Sequence, residues 1–104
     1  MTTASFFKSN GKFQKFRISG HSGYSEEGSD IVCAAVTSMT MLTVNNITES
    51  FLVPASVSVD EKNAVIDFAL KSDDERGCAL IEGLWRELSA LMNDYPEFVR
   101  VTVK

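Results

Sequence analysis

A chain of 104 residues, 44% of them hydrophobic, has the size of one domain and enough apolar mass for a core without disulfide staples. Its formal net charge of -4, with Lys and Arg interspersed among the acids, leaves no basic stripe of the kind a nucleic-acid binder needs against phosphates. Two cysteines are too few for a secreted disulfide scaffold, and Met1 to Lys8 lacks the apolar run of a signal peptide.

The first signal along the chain is Ser9-Asn10-Gly11-Lys12, set between Phe6-Phe7 and a run from Phe13 to Ser19. Asn-Gly between two such runs predicts a hairpin, because both residues tolerate positive φ. Phe16 and Ile18 fall on one face of the second strand, Lys15 and Arg17 on the other. Gly20 to Ser29, with three glycines and three serines, reads as a mobile loop.

At Asp30 the apolar period becomes helical. Ile31, Ala35 and Leu42 form a stripe with Val32, Val36 and Met39 beside it, and no Gly or Pro interrupts the run through Ile47. Asp30 or Ser29 is the expected N-cap, and Asn45-Asn46 the expected place for the helix to fray or end. The longest mostly apolar stretch, Ile31 to Val44, is too short to cross a bilayer.

Pro54 opens a second strand pair. Ala55, Val57 and Val59 alternate with serines, Asp60-Glu61-Lys62-Asn63 makes the turn, and Ala64, Ile66 and Phe68 share the next face. Ser72-Asp73-Asp74-Glu75 has a capping-box pattern that starts a second helix, with Cys78, Ile81, Leu84, Trp85, Leu88, Leu91 and Met92 as its apolar positions. Phe98 to Val103 is the last strand. The order β-β-α-β-β-α-β predicts an α+β fold over residues 1–104: a two-layer sandwich with two helices on one side of a mixed, mostly antiparallel sheet. Periodicity does not fix the strand order.

The chemistry-bearing residues cluster between the first hairpin and the first helix. His21, the only histidine, sits in the glycine-rich loop, and Cys33 follows in the helix's first turn. Unpaired amides and the macrodipole at a helix N-terminus favour thiolate over thiol, and a neighbouring imidazolium adds to that. The first-turn amides are also candidates for an oxyanion hole. Against this stands the commoner fate of a helical Cys as a small core residue and of a loop His as an idle surface group. Spacing alone does not decide between them.

Asp30 has two readings. It caps the helix, or Ser29 caps it and Asp30 orients His21. Thr37 and Ser38, one turn beyond Cys33, are candidates to face a cleft, and Tyr24 to line a substrate groove. Glu26, Glu27 and Asp30 make a small acidic cluster, normally a solvated surface. Cys78 belongs to the core by its place on the second helix's apolar stripe. One His and two separated Cys form no metal-ligand spacing, Gly20, Gly23 and Gly28 lack the Lys-Ser/Thr ending of a phosphate loop, and no cofactor is expected.

The segment Gly20-His21-Ser22-Gly23-Tyr24, followed by Gly28-Ser29-Asp30-Ile31-Val32-Cys33-Ala34-Ala35, resembles the signature of the ribosomal-processing cysteine protease family. The resemblance implies a bacterial, cytoplasmic, homodimeric cysteine endopeptidase. Its substrate would be the precursor of the twenty-seventh protein of the large ribosomal subunit, whose N-terminal extension is removed after an aromatic residue. The family's nucleophile maps onto Cys33, its histidine onto His21, the motif's aspartate onto Asp30 and the glycine before the histidine onto Gly20. Thr37 stands where a small hydroxyl residue is usual, and Ser22 and Tyr24 occupy variable loop positions facing substrate. No direct contact with nucleic acid or membrane is implied. The competing class is a ribosome-associated binding protein with a structural Cys33; a redox sensor is weaker, since no resolving Cys lies near.

Overall fold

The computed structural model describes residues 1–26 and 30–104. Strands β1 (Thr2–Ser9) and β2 (Lys12–Ser19) form the first hairpin. Asn10 and Gly11 close it with φ of 54° and 78°, the two positive values that a tight hairpin turn needs. Helix α1 (Ile31–Asn45) follows, then strands β3 (Ala55–Asp60) and β4 (Val65–Leu70), helix α2 (Glu75–Asp94) and strand β5 (Val99–Val103).

The five strands lie in the order β3-β4-β2-β1-β5. Only β1 and β5 run parallel; the other neighbours are antiparallel. The register sets one apolar face. Phe6 pairs with Phe16, Phe16 with Phe68 and Phe68 with Val57, so alternate residues of four strands point the same way. Phe6, Phe16 and Phe68 are fully buried there, with Phe16 stacked on Phe68 at 5.1 Å. Ile81, Leu84 and Leu88 of α2 and Val32, Val36 and Val44 of α1 close the core over this face. The result is the expected two-layer sandwich.

Several local expectations shift. Asp74, not Ser72, caps α2, accepting from the amides of Arg76 and Gly77. Ala64 sits outside β4 with φ 53°, closing the turn where Asp60 accepts both the backbone and side-chain N–H of Asn63. The α-helix ends at Asn45, within the pair expected to close it, and the chain continues from there as a π-helical turn, Asn46–Ser50. The helical run Ile31–Ser50 is therefore 20 residues, long and apolar enough by length and composition to cross a membrane, contrary to the shorter span expected. One of its faces is nonetheless built into the core through Val32, Val36, Val44 and Ile47.

The orientation of α1 also differs from its expected stripe. Val32, Val36, Thr40, Thr43 and Val44 are buried, whereas Ile31 and Leu42 are 58% and 63% exposed. Two threonines complete the inward face, so apolarity alone does not mark it. Thr43 satisfies its hydroxyl by donating to the Met39 carbonyl at 2.8 Å, the usual way a helical threonine tolerates burial.

Candidate active site

Beyond β2 the chain turns at Gly20, whose φ is 87° and whose N–H bonds the Ala64 carbonyl at 2.9 Å. The Met1 carbonyl oxygen lies 2.5 Å from where a Cβ would stand, so only glycine fits. This anchor fixes the point from which His21 and Ser22 leave the sheet.

Asp30 organises the far side. It is the N-cap of α1, and its Oδ1 accepts from the amides of Val32 at 3.0 Å and Cys33 at 2.9 Å. Its other oxygen reaches back into the loop, accepting the Ser22 hydroxyl at 2.5 Å and the Ser25 amide at 3.3 Å. The side chain is buried. Burial opposes its charge, but the bonds from Ser22, Cys33, Ser25 and Val32 outweigh that and hold the carboxyl down at about 2. Of the two readings of Asp30, capping is the one realised; among the described residues its carboxylate makes no bond to His21. Ser29, the other cap candidate, and Glu27 of the acidic cluster lie outside the described residues.

Cys33 lies in the first turn of α1 and is only partly buried. Its sulfur accepts the Ser22 backbone N–H at 3.2 Å. That donor and the helix N-terminus both place positive potential at Sγ. Cys33 and His21 line one cleft of about 860 Å³. Gly20 and Thr37 line it too, and Val36 and Met41 of α1 face Val59, Val65 and Ile66 across it. Such a cleft, mostly apolar in surface with polar groups among its lining, suits an extended peptide. His21 is exposed, and among the described residues its ring makes no hydrogen bond.

Two residues expected to face substrate turn their side chains elsewhere. Ser22 is 2% exposed, its hydroxyl committed to Asp30 while accepting the Tyr24 amide at 3.2 Å. Tyr24 packs edge-on against Tyr95 and Phe98, with centroids 5.5 and 5.3 Å away, a favourable geometry for aromatic rings. It tethers the loop to the end of α2 instead of walling the cleft. Thr37 lies on the cleft wall, and Ser38 is exposed outside it.

Thr40 went unmarked in the sequence. It is wholly buried on the cleft wall, and its Oγ1 has no hydrogen-bond partner among the described residues. Its spacing from Cys33, two helical turns on, was the available signal. Cys78 is buried, as expected. Burial and the Asp73 carboxylate push its thiol up, while Gln14 donates to its sulfur at 3.4 Å. Such a thiol is inert.

The model of the family described as cysteine protease Prp matches residues 1–100. The ribosomal processing cysteine protease Prp of Bacillus subtilis is 30% identical over 92 residues, covering 84% of this chain and 82% of its own length. Among solved structures, the essential ribosomal processing protease Prp from S. aureus, in complex with a covalently linked product peptide, superposes with a TM-score of 0.93. It is 21% identical, with both chains covered in full, and so speaks for the fold alone. SMU.848 from Streptococcus mutans is 29% identical with a TM-score of 0.82, over 100% of this chain and 96% of that one.

Proposed function

This chain belongs to the family of the cysteine protease Prp, and from that premise we propose that it is an endopeptidase working through Cys33 and His21, with residues 1–104 acting as one protease domain. The observation that carries this assignment is the position of the Cys33 sulfur: at the head of α1, bonded by a loop N–H, on the wall of a cleft that His21 shares.

In this mechanism the Cys33 thiolate attacks the scissile carbonyl, forming a C–S bond while the carbonyl π pair moves onto oxygen. Collapse re-forms the carbonyl and breaks the C–N bond, and His21 gives its proton to the departing amine. Water, deprotonated by His21, then cleaves the thioester to free the new carboxylate and return the thiolate. Gly20 sets where His21 leaves the sheet, and Asp30 supports the site by tying the loop to the helix. Thr37 is the substrate-facing hydroxyl of the helix.

We propose as substrate a large-subunit ribosomal protein precursor, the twenty-seventh, cut within its N-terminal extension. The ribosomal processing role of the Bacillus subtilis relative and the Gly20 to Ala35 signature support this. The same relationship supports a bacterial cytoplasmic setting. Incubation with the extended precursor and mass spectrometry of the fragments tests it: one cut within the extension is expected, and an intact precursor rejects it.

We further propose a homodimer. α1 carries no charged residue, yet Ile31, Ala34, Ser38 and Leu42 face outward. An uncharged exterior helix face of this kind calls for cover. A second copy fits: an antiparallel two-fold centred at Ser38 sets large Leu42 opposite small Ala34 and Met41 opposite Ala35.

A further inference from the structure

Acyl transfer through a cysteine needs donors aimed at the oxygen that becomes negative, and the amides of the nucleophile's own helix turn are the usual source. Here those of Val32, Cys33 and Ala34 are engaged. Asp30 Oδ1 holds the N–H groups of Val32 and Cys33, and the Asp30 carbonyl holds that of Ala34 at 3.0 Å. A substrate oxygen could take them only by displacing the cap. In the loop, the Tyr24 amide is bound to the Ser22 hydroxyl, the Ser25 amide to Asp30, and the Gly20 amide to Ala64.

The Ser22 amide alone among these points at the reacting atom, 3.2 Å from Cys33 Sγ. We infer that this backbone N–H is the oxyanion donor of the site. The inference rests on the protease reading above and adds which group stabilises the tetrahedral intermediate.

At rest the N–H serves the Cys33 sulfur. When a sulfur lone pair becomes the C–S bond, the negative charge passes to the oxygen on the same carbon. A sulfur bonded to carbon on both sides is a weak acceptor, so the N–H is released beside the atom that now needs it. Collapse of the intermediate returns the electron pair to the carbonyl, and the second half-reaction repeats the exchange. The donor requires little reorganisation: Ser22 is buried, and its hydroxyl is fixed between Asp30 and the Tyr24 amide.

The test is a backbone substitution. Ligation at Cys33 joins a synthetic segment 1–32 to segment 33–104, and within the synthetic part the Ser22 N–H is exchanged for an ester oxygen, side chain unchanged. Loss of the donor is expected to lower kcat by about 10²–10³-fold with KM little altered. Affinity for a peptide aldehyde, whose adduct carries an oxygen in the oxyanion position, should fall in parallel. Alkylation by iodoacetamide at a pH where the thiol is fully ionised should stay at the wild-type rate, since that displacement forms no oxyanion. A kcat near that of the synthetic wild type overturns the inference and points to another donor, such as the Gly23 amide on the cleft wall. Equal losses in kcat and alkylation also overturn it, because they confine the N–H to the sulfur. If the ester chain does not fold, a crystal structure of the wild-type aldehyde adduct decides: the adduct oxygen lies within hydrogen-bond distance of Ser22 N, or the inference is wrong. A wild type that cleaves nothing rejects the protease reading itself.

Discussion

The hydroxyl of Ser22 and the carboxylate of Asp30 are joined by a short hydrogen bond, and through it the loop that carries His21 is fastened to the helix that carries Cys33. The other oxygen of the same carboxylate caps that helix. One side chain thus settles two distances at once: where the helix starts, and where the loop's backbone passes the sulfur.

Asp30→Ala should therefore lower both stability and turnover, while Asp30→Asn, which keeps an oxygen for the cap, should retain more of both. Melting temperature and kcat measured together separate these roles. The pH dependence has a fixed sign. The folded carboxyl titrates at about 2, below its ordinary 3.8, so its contribution is complete above the ordinary value and fades as pH falls toward 2. Wild type should lose stability between pH 4 and 2 more steeply than Asp30→Asn. Superimposable acid profiles would remove Asp30 from that role.

Cys33→Ala should abolish cleavage and leave the melting temperature close to wild type, because the sulfur is only partly buried and its one hydrogen bond among the described residues comes from the loop. Cleavage of the precursor by a folded Cys33→Ala chain would end the nucleophile assignment. His21→Ala should cost about 10²–10⁴-fold in kcat, the usual share of a positioned acid–base group. Near-normal turnover at neutral pH would exclude it.

How far the sequence disclosed this site depends on the kind of group. Asn10-Gly11 announced the first hairpin because a tight turn requires two positive φ values, and alternation marked the inner faces of the strands. Alternation is silent on which strand edges meet, so the parallel pairing of β1 with β5 could not be read. The outward stripe of α1 misled because its buried face includes Thr40 and Thr43, while Ile31 and Leu42 are exposed. Cys33 beside a His-bearing loop was legible as residue chemistry. The Ser22 backbone N–H was not, since every residue but proline carries one and only the fold aims it.

Gly20→Ala tests the anchor of the loop. Left-handed backbone costs a non-glycine residue about 1–2 kcal/mol, and the new methyl would press on the Met1 carbonyl besides. A clear drop in melting temperature is expected, with kcat falling more than KM rises because His21 is the next residue. Unchanged stability would mean that the β1 start yields easily.

Leu42→Glu bears on the homodimer. Leu42 is 63% exposed, so the fold should survive, but the charge would be trapped if this face meets its copy. Sedimentation should report a dimer for wild type and a monomer for the variant, with similar melting behaviour. A wild type that sediments as a monomer, or a variant that stays dimeric, removes α1 as the contact.

Thr40 offers the last and least intuitive test. Its neighbours Thr43 and Thr48 donate to carbonyls four residues back, at 2.8 and 2.9 Å, whereas Thr40 Oγ1 lacks any partner among the described residues. An unsatisfied buried hydroxyl costs about 1–3 kcal/mol, and valine has nearly the same shape. Thr40→Val should therefore raise the melting temperature. A lower melting temperature would mean that the hydroxyl has a partner in solution.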